Sequence, residues 1–136
     1  MRLLLDINVL LDLAFQRPGE PASAALIAQC GASHQAFVAW HTVATLAYLI
    51  ERQGTSAMAR GFIRDLLGWA DIAPTTRSDA MAALALPMAD LEDALQAAAA
   101  AACGAAWIVT RNLRDFVQSP VAALTPEDFL GRFPPP

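Results

Sequence analysis

The sequence contains no lysine, and all nine of its basic residues are arginines. Receiver domains and haloalkanoate-dehalogenase-type phosphatases also place an aspartate after the first strand of a parallel sheet, but both need a lysine near their acyl phosphate. The phosphatases need in addition a second aspartate two residues after the first, where this chain has Asn8. A dinucleotide site would need glycines after the first strand, and the segment "DINVLLD" has none. All three classes of function are therefore disfavoured.

Long runs of strongly apolar residues are missing as well. The longest apolar tract, "ALQAAAAAACGAAWIV", is mostly alanine and is broken by Gln96 and Gly104. It falls short of the ~20 strongly apolar residues that a membrane span needs. Asp6 and Asp12 interrupt the apolar stretch at the N-terminus, which therefore does not fit a secretion signal. We expect a cytoplasmic protein with no membrane segment.

Charged residues and cysteines are few. Charged side chains make up 16% of the 136 residues, apolar side chains 56%, and the net charge is −4. The acidic balance disfavours a generic nucleic-acid coat, and the apolar content favours one domain whose helices cover a sheet. We expect this domain to span residues 1–132, with residues 133–136 as an exposed proline-rich tail. Cys30 and Cys103 follow no metal-ligand spacing and are expected to be reduced core thiols.

Short apolar stretches alternate with helical segments along the chain. Five stretches are typical of strands: "RLLL", "AFVAW", "ADIAP", "AWIVT" and "VAAL". Because the segments between most of them have helical character, the strands are expected to pair in parallel through helical crossovers. The site of such a sheet lies beyond the carboxyl ends of its strands.

Polar residues that could hold a cation follow the predicted strands or begin predicted helices. Several carboxylates at one sheet edge would repel one another unless a cation lay between them, and hard oxygen ligands suit Mg²⁺ or Mn²⁺. Such an ion can position a phosphodiester and lower the pKa of a bound water. The sequence therefore predicts a divalent-metal site built from Asp6 with Asn8, from Asp90, Glu92 and Asp93, and from Asn112 with Asp115.

Each member of this set also has a purely structural explanation. Asp6 is placed to cap the helix that follows the first strand. Asp90 and Asp93 stand at the cap and third positions of the alanine-rich helix, where carboxylates accept backbone N–H bonds. Asp115 fits a turn residue, and His41 fits a partly exposed helix start. The metal hypothesis therefore depends on the conjunction of these residues.

Four segments in a defined order resemble the PIN domain, the nuclease fold of VapC-type toxins. They are "LLLDINVLLDL", "DLEDALQAAAA", "WIVTRNLRDF" and "LTPEDFL", and together they run nearly end to end. The last three are most similar to the PIN subgroup that carries "TRN" in place of "TRD". The resemblance implies a three-layer α/β/α fold with a parallel sheet of about five strands and acidic residues at one edge.

The resemblance also assigns roles residue by residue. Asp6 corresponds to the first family acid and Asp93 to the acid of the central helix. Asn112 stands where many members have the aspartate of "TRD", and Asp115 stands at another frequently acidic position. Asn8 matches the asparagine of the family's "DTNV". The implied catalytic residues are Asp6, Asp93 and Asp115; the implied metal ligands are these three with Asn112; and the supporting residues are Asn8, His41, Thr45, Asp90 and Glu92.

One family acid is missing. Many PIN nucleases have a glutamate near the start of the helix after the second strand, and in "AWHTVATLAYLIER" that position is Thr45. Glu51 is a poor replacement, because six residues advance a helix by roughly 600° and turn the side chain about 120° away. His41, one turn before Thr45, lies on the same face and is the better substitute.

These correspondences imply an endoribonuclease that depends on Mg²⁺ or Mn²⁺ and acts as the toxin of a toxin–antitoxin pair. The implied partners are RNA, a small antitoxin protein and a second copy of the chain in a homodimer. Arg111 and Arg114 flank the predicted site and are expected either to hold RNA phosphates or to be ordinary solvated side chains. The alternative function is a PIN-like module that has lost catalysis and binds RNA or protein.

Overall fold

The strands of the protein form one parallel sheet. A computed structural model describes residues 1–136. The strands are β1 (Arg2–Leu5), β2 (Gln35–Val38), β3 (Ala70–Ile72), β4 (Trp107–Val109) and β5 (Ala123–Leu124). Their order is β3-β2-β1-β4-β5, and every pairing is parallel. The predicted five-stranded parallel sheet is confirmed, and β1 lies at its centre.

Helices connect these strands and cover both faces of the sheet. They are α1 (Ile7–Ala14), α2 (Glu20–Ile27), α3 (Trp40–Gln53), α4 (Ser56–Leu66), α5 (Arg77–Leu84), α6 (Leu91–Ala102) and α7 (Pro126–Arg132). A 3₁₀ helix at Leu113–Phe116 lies between β4 and β5, in a segment for which the sequence predicted only a turn. No helix is long and apolar enough to cross a membrane.

The alternation of side chains along β1 produces the three layers. Leu3 and Leu5 face one side of the sheet and Leu4 faces the other, and all three are fully buried. The first side packs on residues of α1, α2 and α7, including Val9, Leu10, Leu26 and Phe129. On the second side, Leu4 packs with Phe37 of β2 and Ile108 of β4, and the alanine face of α6 covers them with residues that include Ala97 and Ala100. Each fully buried leucine stabilises the fold by about 1.5–3 kcal/mol. Because these leucines pack on both faces, β1 contributes to the core on each side of the sheet.

The structure describes both cysteines and the C-terminal segment that the sequence assigned to an exposed tail. Both cysteines are buried and free, as expected for core thiols, and burial raises the pKa of the Cys30 thiol to about 11. Phe133 is half-buried and packs against Phe129 and Trp107. Residues 134–136 are exposed, and the bounds of the domain stay a prediction.

Candidate active site

Asp6 lies at the centre of the carboxyl edge of the sheet. It follows β1 directly, is 3% exposed, and accepts hydrogen bonds on both carboxylate oxygens. Oδ1 accepts from the backbone N–H of Ile7 at 2.8 Å, and Oδ2 accepts from the hydroxyl of Thr110, after the neighbouring β4, at 2.8 Å. Burial raises the pKa of the Asp6 carboxyl, and these hydrogen bonds oppose that shift. Asp6 is thus both the cap of α1 and a buried acid at the sheet edge.

Gln96 connects Asp6 to the acidic helix α6. It is fully buried, and its Nε2 donates to Asp6 Oδ1 at 3.3 Å, to Thr42 Oγ1 at 2.9 Å and to Glu92 Oε1 at 3.3 Å. Its Oε1 has no hydrogen-bond partner in the protein. One amide nitrogen therefore joins the acid after β1, helix α3 and helix α6.

Three residues of this network were missed by the sequence analysis: Thr42, Gln96 and Thr110. Gln96 carried a usable signal, because it is the one polar residue within an alanine run that is otherwise suited to burial. A polar side chain in such a place needs buried partners. Thr42 and Thr110 carried no signal of this kind, since threonine is common both at helix starts and at strand ends.

Carboxylates converge at the start of α6. Asp90, Glu92 and Asp93 each have a carboxylate oxygen that lies within 4.8 Å of a carboxylate oxygen of the other two. Asp90 also caps the helix, because its Oδ1 accepts from the backbone N–H of Asp93 at 3.1 Å. The structural explanation for Asp90 therefore holds alongside membership of the acidic group.

A cleft of about 280 Å³ opens beside this group, and we call it the acid cleft. Asp90, Asp93, Arg114 and Asp115 line it, together with the loop before α6. Burial and the charges of Glu92, Asp90 and Asp115 raise the pKa of Asp93 to about 7. The fold thus brings Asp93 and Asp115, which are far apart in the sequence, to the same cleft.

His41 contacts this acidic group, and Thr45 does not. The Nε2 atom of His41 lies 3.0 Å from Glu92 Oε1, and this hydrogen bond lowers the pKa of Glu92. Thr45 is exposed, and its hydroxyl donates to the backbone carbonyl of His41 at 3.0 Å. Thr42, rather than Thr45, is the residue of α3 that reaches the buried network. Glu51 is exposed near the far end of α3.

The asparagines of the predicted site lie at its surface. The backbone N–H of Asn112 donates to Thr110 Oγ1 at 3.0 Å, which places Asn112 directly after the buried hydroxyl that holds Asp6. Asn8 lies on the first turn of α1, and its Oδ1 accepts from Arg17 Nη1 at 3.3 Å. Arg17, which the sequence analysis did not single out, is therefore an exposed arginine that contacts the first turn of α1 at Asn8.

Sequence and structure comparisons agree on the family of this chain. The sequence profile of the PIN domain matches residues 2–114. The chain belongs to the PIN-domain family. No curated protein sequence gives a significant match. The three-layer architecture around a parallel sheet is that of a PIN domain, as the resemblance implied, while membership of the "TRN" subgroup stays a prediction.

Three solved structures share the fold of this PIN domain. One is VapBC2 from Rickettsia felis bound to a promoter DNA fragment, with a TM-score of 0.75, 16% identity, and coverage of 92% of this chain and 98% of the other. A second is VapBC-1 from nontypeable Haemophilus influenzae, with a TM-score of 0.72, 16% identity, and coverage of 93% and 99%. FitAB bound to an IR36 DNA fragment gives a TM-score of 0.69, 16% identity, and coverage of 91% and 94%. At this identity the likeness concerns the fold.

Arg111 of this PIN domain is held by the protein itself, and we call its partners the Arg111 clamp. Nε donates to Asp12 Oδ2 at 2.8 Å, and Nη1 donates to both carboxylate oxygens of Glu127. Nη2 donates to the carbonyl of Gly19 at 2.7 Å and to Ser23 Oγ at 3.0 Å. These five hydrogen bonds match the five N–H donors of a guanidinium. The geometry therefore argues against the phosphate-binding role expected for Arg111, whereas Arg114 lines the acid cleft.

Proposed function

We propose that this PIN domain is a metal-dependent endoribonuclease that hydrolyses RNA phosphodiester bonds. The observation that supports it most strongly is that Asp90, Asp93 and Asp115 line one cleft, where burial together with the neighbouring carboxylates raises the pKa of Asp93 to about 7. Carboxylates that only cap a helix or turn do not need to face one another across a cleft. A site for a divalent cation and an anionic substrate accounts for this arrangement.

The donor set fits Mg²⁺ or Mn²⁺, because every candidate ligand offers oxygen. We propose Asp6, Asp93, Asn112 and Asp115 as the residues that would hold the ion, with Asp90 and Glu92 as supporting acids. A bound ion would supply a water of lowered pKa and would neutralise charge on the phosphate.

The protein's own residues prepare the site for that chemistry. Thr110 and Gln96 fix the Asp6 carboxylate by hydrogen bonds, so that it keeps its orientation when deprotonated. Asp115 or Asn112 would orient the bound ion or its water for in-line attack at phosphorus. Arg114 and Arg17, both exposed at the edge of the site, are placed to donate to phosphate oxygens of the strand.

Cleavage of structured RNA by the purified protein tests this function. We expect cleavage with Mg²⁺ or Mn²⁺ and none in a chelator, and a loss of about 100-fold or more in Asp6→Asn and Asp93→Asn. Asp65→Asn, an exposed aspartate on α4, is the matched control and should keep full activity. Wild-type activity that survives chelation, or an unaffected Asp93→Asn variant, would refute the proposal.

We also propose that the protein is a cytoplasmic toxin that pairs with a small antitoxin and forms a homodimer. The solved structures that share its fold are VapBC2, VapBC-1 and FitAB, and the resemblance to VapC-type toxins implies such a partner. Exposed apolar side chains of α3 and α4 offer a contact surface, among them Tyr48 and Met58. Light scattering of the protein alone, and co-purification with the product of a small neighbouring reading frame, test the two partners separately.

A PIN-like binding module without catalysis is the second candidate. It is favoured by one observation: the position of the missing family acid, Thr45, is exposed and contributes no carboxylate to the buried network. Tight RNA or protein binding that is independent of metal, with no cleavage, would support this function over the first.

A further inference from the structure

Trp40 is an exposed aromatic side chain at the start of α3. It is the first residue of α3 and is 64% exposed. The next residue, His41, contacts Glu92 at 3.0 Å. An aromatic face that the protein leaves uncovered is available to stack on a flat ligand.

A second cleft begins at Trp40, and we call it the Trp40 cleft. Its volume is about 230 Å³, and it lies between the N-terminal ends of α3 and α5 and one side of α6. Leu95 and neighbouring alanines form an apolar wall, and Thr75 and Thr76 add hydroxyl groups. Both clefts border α6, the acid cleft at Asp93 and the Trp40 cleft at Leu95. His41, which lines the Trp40 cleft, contacts Glu92 of the acidic group at 3.0 Å.

The chemistry of the Trp40 cleft suits a neutral, flat ligand. No arginine lines it. Its one carboxylate, Asp79, already accepts from the backbone N–H of Thr76 at 2.8 Å in the capping box of α5. A phosphate would meet no fixed positive charge there, whereas an aromatic face with aliphatic walls and hydroxyls matches a nucleobase, which stacks and forms hydrogen bonds.

We propose that Trp40 is a stacking platform for an unpaired base of an RNA strand whose phosphate lies at the acid cleft. This inference rests on the proposed function, because it assigns the substrate as RNA with an unpaired base next to the reacting phosphate. Stacking on a tryptophan face is tolerant of base identity, so the platform selects single-stranded or looped RNA over continuous duplex.

Binding of a short single-stranded oligoadenylate tests the platform. The full-length chain is titrated in Ca²⁺, with the RNA checked by gel to be intact at the end, and affinity is read from RNA anisotropy and from tryptophan fluorescence. We expect Trp40→Ala to weaken binding about ten-fold and Trp40→Phe to weaken it less. The matched control is Leu84→Ala, a large apolar side chain on α5 that is 63% exposed and lines neither cleft. It should bind within about two-fold of wild type.

An abasic ribose-phosphate strand of the same length separates stacking from other effects. Loss of the bases should weaken binding to the wild type and change binding to Trp40→Ala much less, because the variant has already lost the stack. Trp40→Ala that binds oligoadenylate like the wild type, or that loses as much affinity on the abasic strand as the wild type does, would overturn the inference. So would a wild-type chain that does not bind oligoadenylate, or Trp40→Ala that changes only the oligomeric state.

This experiment distinguishes the inference from the proposed function. Quenching of Trp40 by RNA in a protein that cleaves nothing would leave the platform in place and make the protein a binding module. Cleavage with unchanged affinity in Trp40→Ala would keep the nuclease and remove the platform.

Discussion

Two charged regions lie at the same edge of the sheet. In one of them opposite charges are paired, and in the other like charges are gathered around a cleft. In the Arg111 clamp, one guanidinium is paired with Asp12 and Glu127, and all five of its N–H donors are used. In the acid cleft, Asp90, Asp93 and Asp115 face one another with Arg114 as the one arginine that lines the cleft. The N–H donors of the Arg111 clamp are all paired within the protein. A bound cation would reduce the repulsion among the carboxylates of the acid cleft.

The pKa shifts express the same difference. Hydrogen bonds and ion pairing with Arg111 lower the pKa of Glu127. In the acid cleft, burial and the neighbouring carboxylates do the reverse, and together they raise the pKa of Asp93 to about 7. An ion pair satisfies the charges of both partners, whereas like charges that are held close together with a shifted pKa are typical of functional sites.

The largest effect is expected from Arg111→Ala. The substitution leaves Asp12, which is 4% exposed, without its cation, so the free energy of unfolding should fall by about 3 kcal/mol. Urea unfolding measures this loss. Cleavage measured under conditions where the variant is folded should change little. A variant of unchanged stability that no longer binds RNA would instead restore the phosphate-binding role.

Gly19→Ala should damage the clamp without removing any charge. An added Cβ would lie 2.6 Å from Arg111 Nη2 and 2.9 Å from Asp12 Oδ2, while the backbone of Gly19 has an ordinary negative φ of −78°. Overpacking of this kind costs about 1–3 kcal/mol. Gly61→Ala on α4 is the matched control: a Cβ there meets nothing within 4 Å, so stability should rise by about 0.5–1 kcal/mol. Equal effects of the two substitutions would contradict the description of the clamp.

In metal-free protein, the acid cleft should make stability fall as the pH rises from about 4 to about 7. The folded protein keeps the Asp93 proton up to about pH 7, while the unfolded chain releases it near the ordinary pKa of 3.8. The folded state thus binds more protons in this window, and its stability declines with pH. Thermal unfolding of the wild type and Asp93→Asn across this range isolates the contribution, which should be missing in the variant. Added Mg²⁺ should flatten the wild-type curve; parallel curves without metal would contradict the raised pKa.

The smallest effect is expected from Thr45→Ala. Thr45 is exposed and bonds only to its own helix, so stability should change by less than about 0.5 kcal/mol and cleavage by less than two-fold. Thr42→Val is the informative neighbour, because it removes the buried acceptor of Gln96 and should cost about 1 kcal/mol. A larger loss in Thr45→Ala than in Thr42→Val would contradict the assignment of Thr42 to the buried network.

Local pattern was sufficient to predict most of the fold. The leucines of β1 and the alanine face of α6 follow the periods of a strand and a helix, and Asp6 and Asp90 cap helices where the sequence places them. The 3₁₀ helix at Leu113–Phe116 was missed because four residues are too few to show a period.

The partners within the site could not be predicted in the same way. Asp6 and Gln96 are 90 residues apart, and Arg111 and Asp12 are 99 apart, so no local pattern links them. Thr42 and Thr45 are nearly one turn apart on the same helix, and which of them is buried depends on where α6 crosses α3. Packing of the whole chain decides such contacts.

Calorimetric titration with Mn²⁺ tests most directly whether the acid cleft is a cation site. The account predicts saturable binding to the wild-type protein near pH 7.5, with proton release from Asp93, and at least ten-fold weaker binding to Asp93→Asn, while Asp65→Asn binds like the wild type. Wild-type protein that binds no Mn²⁺, or Asp93→Asn that binds it equally well, would contradict the account.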